Sequence, residues 1–151
     1  MDSIFQICCN IIRYLSDIFG ITYEELNTYL FIYIEPLLVM ISFAIVIGII
    51  ITKLLKKASI LTFLLLAFFG IGGLVYMAAT LFVWKRYSVL SAHDTCVMAY
   101  NDLETLGKTT GMGYVGINLF LFIILFLTIF GFNMISAFLI KKHVIPNWFI
   151  N

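Results

Sequence analysis

The chain has 151 residues, 63% of them apolar and 11% charged, with a net charge of +1, where soluble domains run near about 45–50% and about 25%. A soluble globule of this size still leaves roughly a third of its unfolded surface in water. The composition therefore excludes an ordinary soluble domain and selects lipid as the solvent. The near-neutral charge also excludes a nucleic-acid binder, which needs clustered Lys and Arg.

Residues 3–19 place Ile4, Ile7, Cys8, Ile11, Leu15 and Ile18 on one helical face and Gln6, Asn10, Arg13 and Asp17 on the other. That period predicts an N-terminal amphipathic helix, too polar to span lipid, lying in the interface or packed on the embedded body. Gly20 is its C-cap. Thr22 and Glu25 then form a capping box for a new helix, and residues 26–52 are the first predicted transmembrane helix. At about 1.5 Å per residue this segment exceeds the roughly 30 Å hydrocarbon core, so Glu24, Glu25, Asn27 and Tyr29 are expected among the headgroups. Pro36 removes a backbone donor and disfavours helical geometry at Glu35, which predicts a kink. Lys53, Lys56 and Lys57 close this helix.

The second predicted span is residues 58–83, ended by an aromatic and basic belt of Trp84, Lys85, Arg86 and Tyr87. The short link makes the first two spans an antiparallel hairpin. Residues 88–112 form the extracytoplasmic loop. Ser91 with Asp94, followed by Ala92, Cys96, Ala99, Leu103 and Leu106 at spacings of three and four, predicts a short amphipathic helix over 91–106. Gly107, Gly111, Gly113 and Gly116 read as a flexible stretch ending it. The third span is residues 114–140, closed by Lys141, Lys142 and His143. Pro146 stops continuation, and Trp148 and Phe149 are expected at the interface. The fold class is thus all-α integral membrane: one membrane domain over 1–151, with three transmembrane helices and two amphipathic ones.

Glu35 stands out, because an acid inside a hydrophobic stretch beside a helix-breaking Pro36 is boundary-placed, paired, or part of an ion or proton path. The third span carries Asn118, Thr128 and Asn133, which in lipid seek hydrogen-bond partners on other helices. Ala44 with Gly48, Gly70 with Gly73, and Gly131 offer small surfaces for helix packing. The segment T-T-G-M-G-Y-V-G at 109–116 resembles a potassium-channel filter, but extra residues interrupt the run of carbonyls that a filter needs. G-K-T-T at 107–110 has Asp102 where a P-loop has its first glycine. Cys8, Cys9 and Cys96 show no metal or disulfide spacing. No catalytic constellation, cofactor or metal is expected.

The phrase G-I-T-Y-E-E-L-N-T-Y-L-F-I-Y-I-E-P-L-L (residues 20–38) is faintly similar to the openings of small bacterial membrane proteins, a resemblance that assigns no activity; the expected location is a bacterial inner membrane. Two functions fit. In the first, the chain forms a homo-oligomer that lines a pore (a channel, a holin-like lesion or a toxin pore). In the second, it is a non-conducting subunit of a membrane complex, or an immunity partner of a membrane-acting toxin. Either way its partners are the bilayer and other membrane proteins. The 53–57 link and the tail carry five Lys and no acid, while the other side holds four Lys or Arg and all eight acids. The positive-inside rule then places the N-terminus outside and the C-terminus in the cytoplasm. In intact cells, externally added thiol reagents should modify cysteines introduced in the 88–112 loop. They should spare Lys56→Cys and Lys142→Cys, and labelling at Lys56→Cys would reverse the topology.

Overall fold

The capping box of Thr22 and Glu25 forms as a reciprocal pair. The Glu25 amide donates to Thr22 Oγ1 at 3.1 Å, and the Thr22 amide donates to Glu25 Oε2 at 2.8 Å. Just upstream, Gly20 adopts a φ of 67°, open to glycine at little cost. Together these end one helix and start the next within four residues. The computed structural model describes residues 2–56, 58–87 and 90–142, so Lys57, His143, Pro146, Trp148 and Phe149 lie outside the described residues.

Nine segments follow in order. These are α1 (Asp2–Phe19), α2 (Tyr23–Thr28), a first π-helical segment (Tyr29–Ile34) and α3 (Glu35–Lys56), then α4 (Ile60–Tyr87). After it come α5 (Ala92–Thr110), α6 (Gly113–Leu119), a second π-helical segment (Phe120–Leu125) and α7 (Phe126–Lys141). Among the described residues there is no strand. Three continuous helices, Tyr23–Lys56, Ile60–Tyr87 and Gly113–Lys141, are long and apolar enough to cross a membrane.

The structure adds two features to the expected spans. The helix runs on through Pro36, and the residues before it form a π segment, in which the Glu35 amide donates back to the Leu30 carbonyl. An α-helical turn would pair the Ile32 carbonyl with residue 36, which has no N–H. Trp84 Nε1 donates to that carbonyl at 2.6 Å. The loop helix, α5, runs to Thr110 rather than stopping near 106, and Gly107 lies inside it. Gly111 is the cap, with a φ of 73°.

The chain forms two compact units, Met1–Pro36 with Phe82–Phe126 and Leu37–Leu81 with Leu127–Asn151. In the first, α5 packs on α2 and α6, and α1 packs on α2 and α6. Leu26, Ile117 and Leu119 are buried there, and Phe31 meets Phe122 with ring centroids 4.6 Å apart. In the second, Val46, Ile50, Phe69, Ala137 and Ile140 form the core, flanked by Phe43. A Cβ on Gly72 or Gly73 would lie 3.4 Å from the Phe43 ring carbons or Cβ.

Gly107 is required by contact, not flexibility. A Cβ there would sit 2.5 Å from the Gly113 carbonyl carbon and 2.9 Å from the Tyr114 nitrogen, both backbone atoms that cannot rotate away. Gly107→Ala should therefore lower unfolding free energy by about 1–3 kcal/mol, the usual cost of overpacking. Gly48→Ala, whose Cβ would meet nothing within 4 Å, should cost nothing. Thermal unfolding of the two variants in one detergent checks this, and equal melting temperatures would refute it.

Candidate functional site

Polar side chains in an apolar chain mark the places to look, because each needs a partner inside the protein. They collect in three places, two in the first unit and one in the second.

In the first unit, charged and polar groups tie helix ends together. Arg86 Nη2 donates to both carboxylate oxygens of Asp102 at 3.0 Å, and Tyr87 Oη donates to Asp102 Oδ2 at 2.8 Å. These bonds anchor the end of α4 on α5. His93 Nδ1 lies 2.7 Å from Glu24 Oε2, linking α5 to α2, and this bond raises the His93 pKa above its ordinary value. Lys108 pairs with Glu104 one turn away at 2.9 Å. Arg86, Asp102, His93 and Glu24 are all substantially solvent-exposed, so these pairs orient helices more than they stabilise them.

The second place is a cavity of about 30 Å³ framed by α1, α2, α6 and the two π segments, with Tyr23, Asn27, Tyr114 and Asn118 among its walls. Tyr23 Oη donates to Cys9 Sγ at 3.6 Å, and Asn118 Nδ2 donates to Tyr114 Oη at 3.5 Å. Cys96 contacts the Asn27 side chain, and burial is the main cause that raises its thiol pKa.

The third is in the second unit. Asn133 is 1% exposed. Its Nδ2 donates to Ser42 Oγ at 2.8 Å, and Ser42 Oγ donates to the Val39 carbonyl at 2.7 Å. This chain of bonds fixes α7 against α3. Asn133 and Thr128 also border an apolar groove of about 640 Å³ with Phe43, Phe68, Gly72 and Phe132.

The structure thus places Asn118 in the small cavity, Asn133 in a buried pair and Thr128 on the groove. Glu35 opens α3 beside Pro36, half-buried, and its carboxylate makes no hydrogen bond or ion pair among the described residues. Gly73 lies against Phe43, whereas a Cβ on Gly48, Gly70 or Gly131 would meet nothing within 4 Å. Ala44 is exposed. Sequence reasoning missed Ser42, which reads as an ordinary small residue. It also missed the grouping of Tyr23, Asn27 and Tyr114, which the spacing of Tyr and Asn four apart could have suggested. Among the described residues no three His, Cys, Asp or Glu side chains converge to hold a metal ion.

No protein-family model, curated protein or solved structure matches the chain.

The Asn133–Ser42 bond should behave as one coupled unit. Asn133→Leu or Ser42→Ala should each cost about 0.5–2 kcal/mol, the range for interhelical hydrogen bonds in membranes. The double variant should cost less than the sum of the singles, because either change alone already removes the Asn133–Ser42 bond. Unfolding titrations in mixed micelles measure this cycle, and strictly additive losses would show the pair to be uncoupled.

Proposed function

We propose that the protein is inserted in a bilayer through its three long helices and serves as a subunit of a membrane assembly made from copies of itself. In this reading the N-terminus lies outside and the C-terminus in the cytoplasm. The observation that carries it is α4. Only 6% of its most apolar window is buried within the chain, against 22% and 17% for the other two candidate spans. Phe68, Ile71, Val75 and Phe82 on α4 are exposed, and Gly70 has open space beside it. Lipid alone covers such a helix adequately, but a small residue among large exposed ones permits close approach of another helix.

α1 supports the same arrangement as an interfacial amphipathic helix. Ile4, Ile7, Ile11 and Ile18 are each more than half exposed, while Ile12 and Ser16 are buried against the protein. Such a helix meets lipid, protein and water on three separate faces.

The pore-lining function rested on the polar residues of the third span, and the most buried of these, Asn133, is occupied internally by Ser42. This favours a subunit that does not conduct. One observation speaks for conduction, namely that the Glu35 carboxylate makes no hydrogen bond or ion pair among the described residues. A non-identical membrane partner on α4, including a membrane-acting toxin, is the alternative occupant.

Native mass in nanodiscs tests the reading. The wild-type protein should run as an oligomer, and Gly70→Leu should dissociate it without lowering the melting temperature, since the new side chain meets nothing inside the chain. A monomeric wild type would remove the self-assembly proposal. Glu35→Gln should leave both mass and ion flux of reconstituted vesicles unchanged, and altered flux would instead establish the pore.

A further inference from the structure

The two ends of the chain are built alike. Each begins with a long helix, α1 or α5, ended by a positive-φ glycine, Gly20 at 67° or Gly111 at 73°. A short helix, a six-residue π segment and a long helix follow in both. Gly20 and Gly111 are 91 positions apart, and so are Tyr23 and Tyr114, Asn27 and Asn118, and the runs Leu30-Phe31-Ile32 and Leu121-Phe122-Ile123. The two π segments, Tyr29–Ile34 and Phe120–Leu125, keep this offset at both ends.

Contacts respect the same correspondence. In the first unit Phe31 meets its counterpart Phe122, and Leu26 and Ile117 are both buried. In the second unit Ser42 bonds to its counterpart Asn133, and Val46 shares a core with its counterpart Ala137. The first helix of each copy also packs on the short helix of the other, α1 on α6 and α5 on α2. We infer from this correspondence that the chain is a tandem duplication whose copies meet through equivalent residues.

The small cavity of the first unit lies where the copies meet. Three equivalent pairs wall it: Tyr23 and Tyr114, Asn27 and Asn118, Phe31 and Phe122. Repeats that meet at interrupted helices are where membrane proteins commonly place polar sites, and π turns mark functional positions in helices.

We propose that this cavity is a water-binding site, with one or two water molecules held between the two Tyr–Asn pairs. Its volume of about 30 Å³ suits them, since one water needs about 10–15 Å³ of such space and two to four polar partners. The partners are poorly served by protein alone. The Asn118–Tyr114 bond is 3.5 Å long, and Tyr23 donates only to a sulfur at 3.6 Å, a weak acceptor. Phenol and carboxamide groups taken from bulk water and left with bonds of this quality lose stability. A bridging water restores short bonds to both sides. The site is neutral, so it suits an uncharged hydrogen-bonding molecule and not an ion.

The experiment is radiolytic hydroxyl labelling of the full-length protein in nanodiscs after mixing with H₂¹⁸O. Water held in the cavity should label Phe31 and Phe122 with ¹⁸O several-fold more than Phe69, in the apolar core of the other unit, and Phe43, which packs against that core. Asn27→Leu and Asn118→Leu should each reduce that labelling, and by similar factors because they are equivalent positions. Labelling of the exposed Tyr14 should not change. Tyr114→Phe, which keeps the ring and removes only the hydroxyl, should give the same reduction if a leucine variant fails to fold. Labelling of Phe31 and Phe122 no higher than that of Phe43 and Phe69 would overturn the site. So would labelling that none of these substitutions reduces, because the water would then be bulk.

Discussion

A buried carbonyl that loses its donor must find another, since an unpaired buried polar group costs about 1–3 kcal/mol or more. Pro36 creates that demand one turn back, at Ile32. The chain meets it in two ways at once. The preceding residues widen into a π segment, and the Trp84 indole donates to the Ile32 carbonyl at 2.6 Å. Trp84 comes from the far end of α4, so the proline defect in the first long helix becomes a tie to the second. Tyr33 lies against the same indole, with centroids 6.0 Å apart. Arg86 and Tyr87, two and three residues further on, then bind Asp102 of α5. The end of α4 is thereby fixed to two elements of the first unit by a short run of residues.

What was legible in the sequence were the features with a local cause. The capping box, the glycine stop at Gly20 and three long apolar helices all follow from neighbouring residues, and each is present. What was not legible depends on partners distant in sequence. Trp84 beside Lys85 and Arg86 reads as an interfacial belt, and nothing local announces that its N–H is committed to residue 32. Gly107 reads as flexible, because composition cannot distinguish a glycine that bends from one that lets Gly113 approach. Asn133 announces a need for a partner without naming Ser42. The second π segment, F-L-F-I-I-L, contains no proline or glycine and has no local cause at all.

The duplication explains that segment. Its counterpart in the first copy is forced by Pro36, yet position 127, the counterpart of Pro36, is leucine. The second helix therefore adopts the wide turn without a backbone donor being removed. Phe31 and Phe122 meet at matching positions of the two π segments, and tertiary packing routinely outweighs local preference. Faint sequence identity is the expected trace of such a relation. Exposed positions accept any apolar residue of suitable size, so Ile34 can become Leu125. Identity survives at the glycine turn, at the Tyr and Asn of the cavity, and at the phenylalanines that meet.

Departures from the correspondence are informative in the same way. The counterpart of Glu35 is Phe126, so the acid belongs to one copy only and is no part of the architecture that the copies share. Lys141 and Lys142 stand opposite Ile50 and Ile51. The second copy thus meets its basic end where the first copy is still apolar, and α7 is shorter than α3. Ile50 is fully buried while Lys141 is exposed, so the core of the second unit is not equally supplied by the two copies. By contrast, the four polar side chains of the small cavity are supplied two by two. A group kept on both sides of a meeting point answers to the meeting point itself, whereas a group present on one side answers to that helix alone. On this ground the paired Tyr and Asn residues, rather than Glu35, are the polar feature around which the two copies are organised.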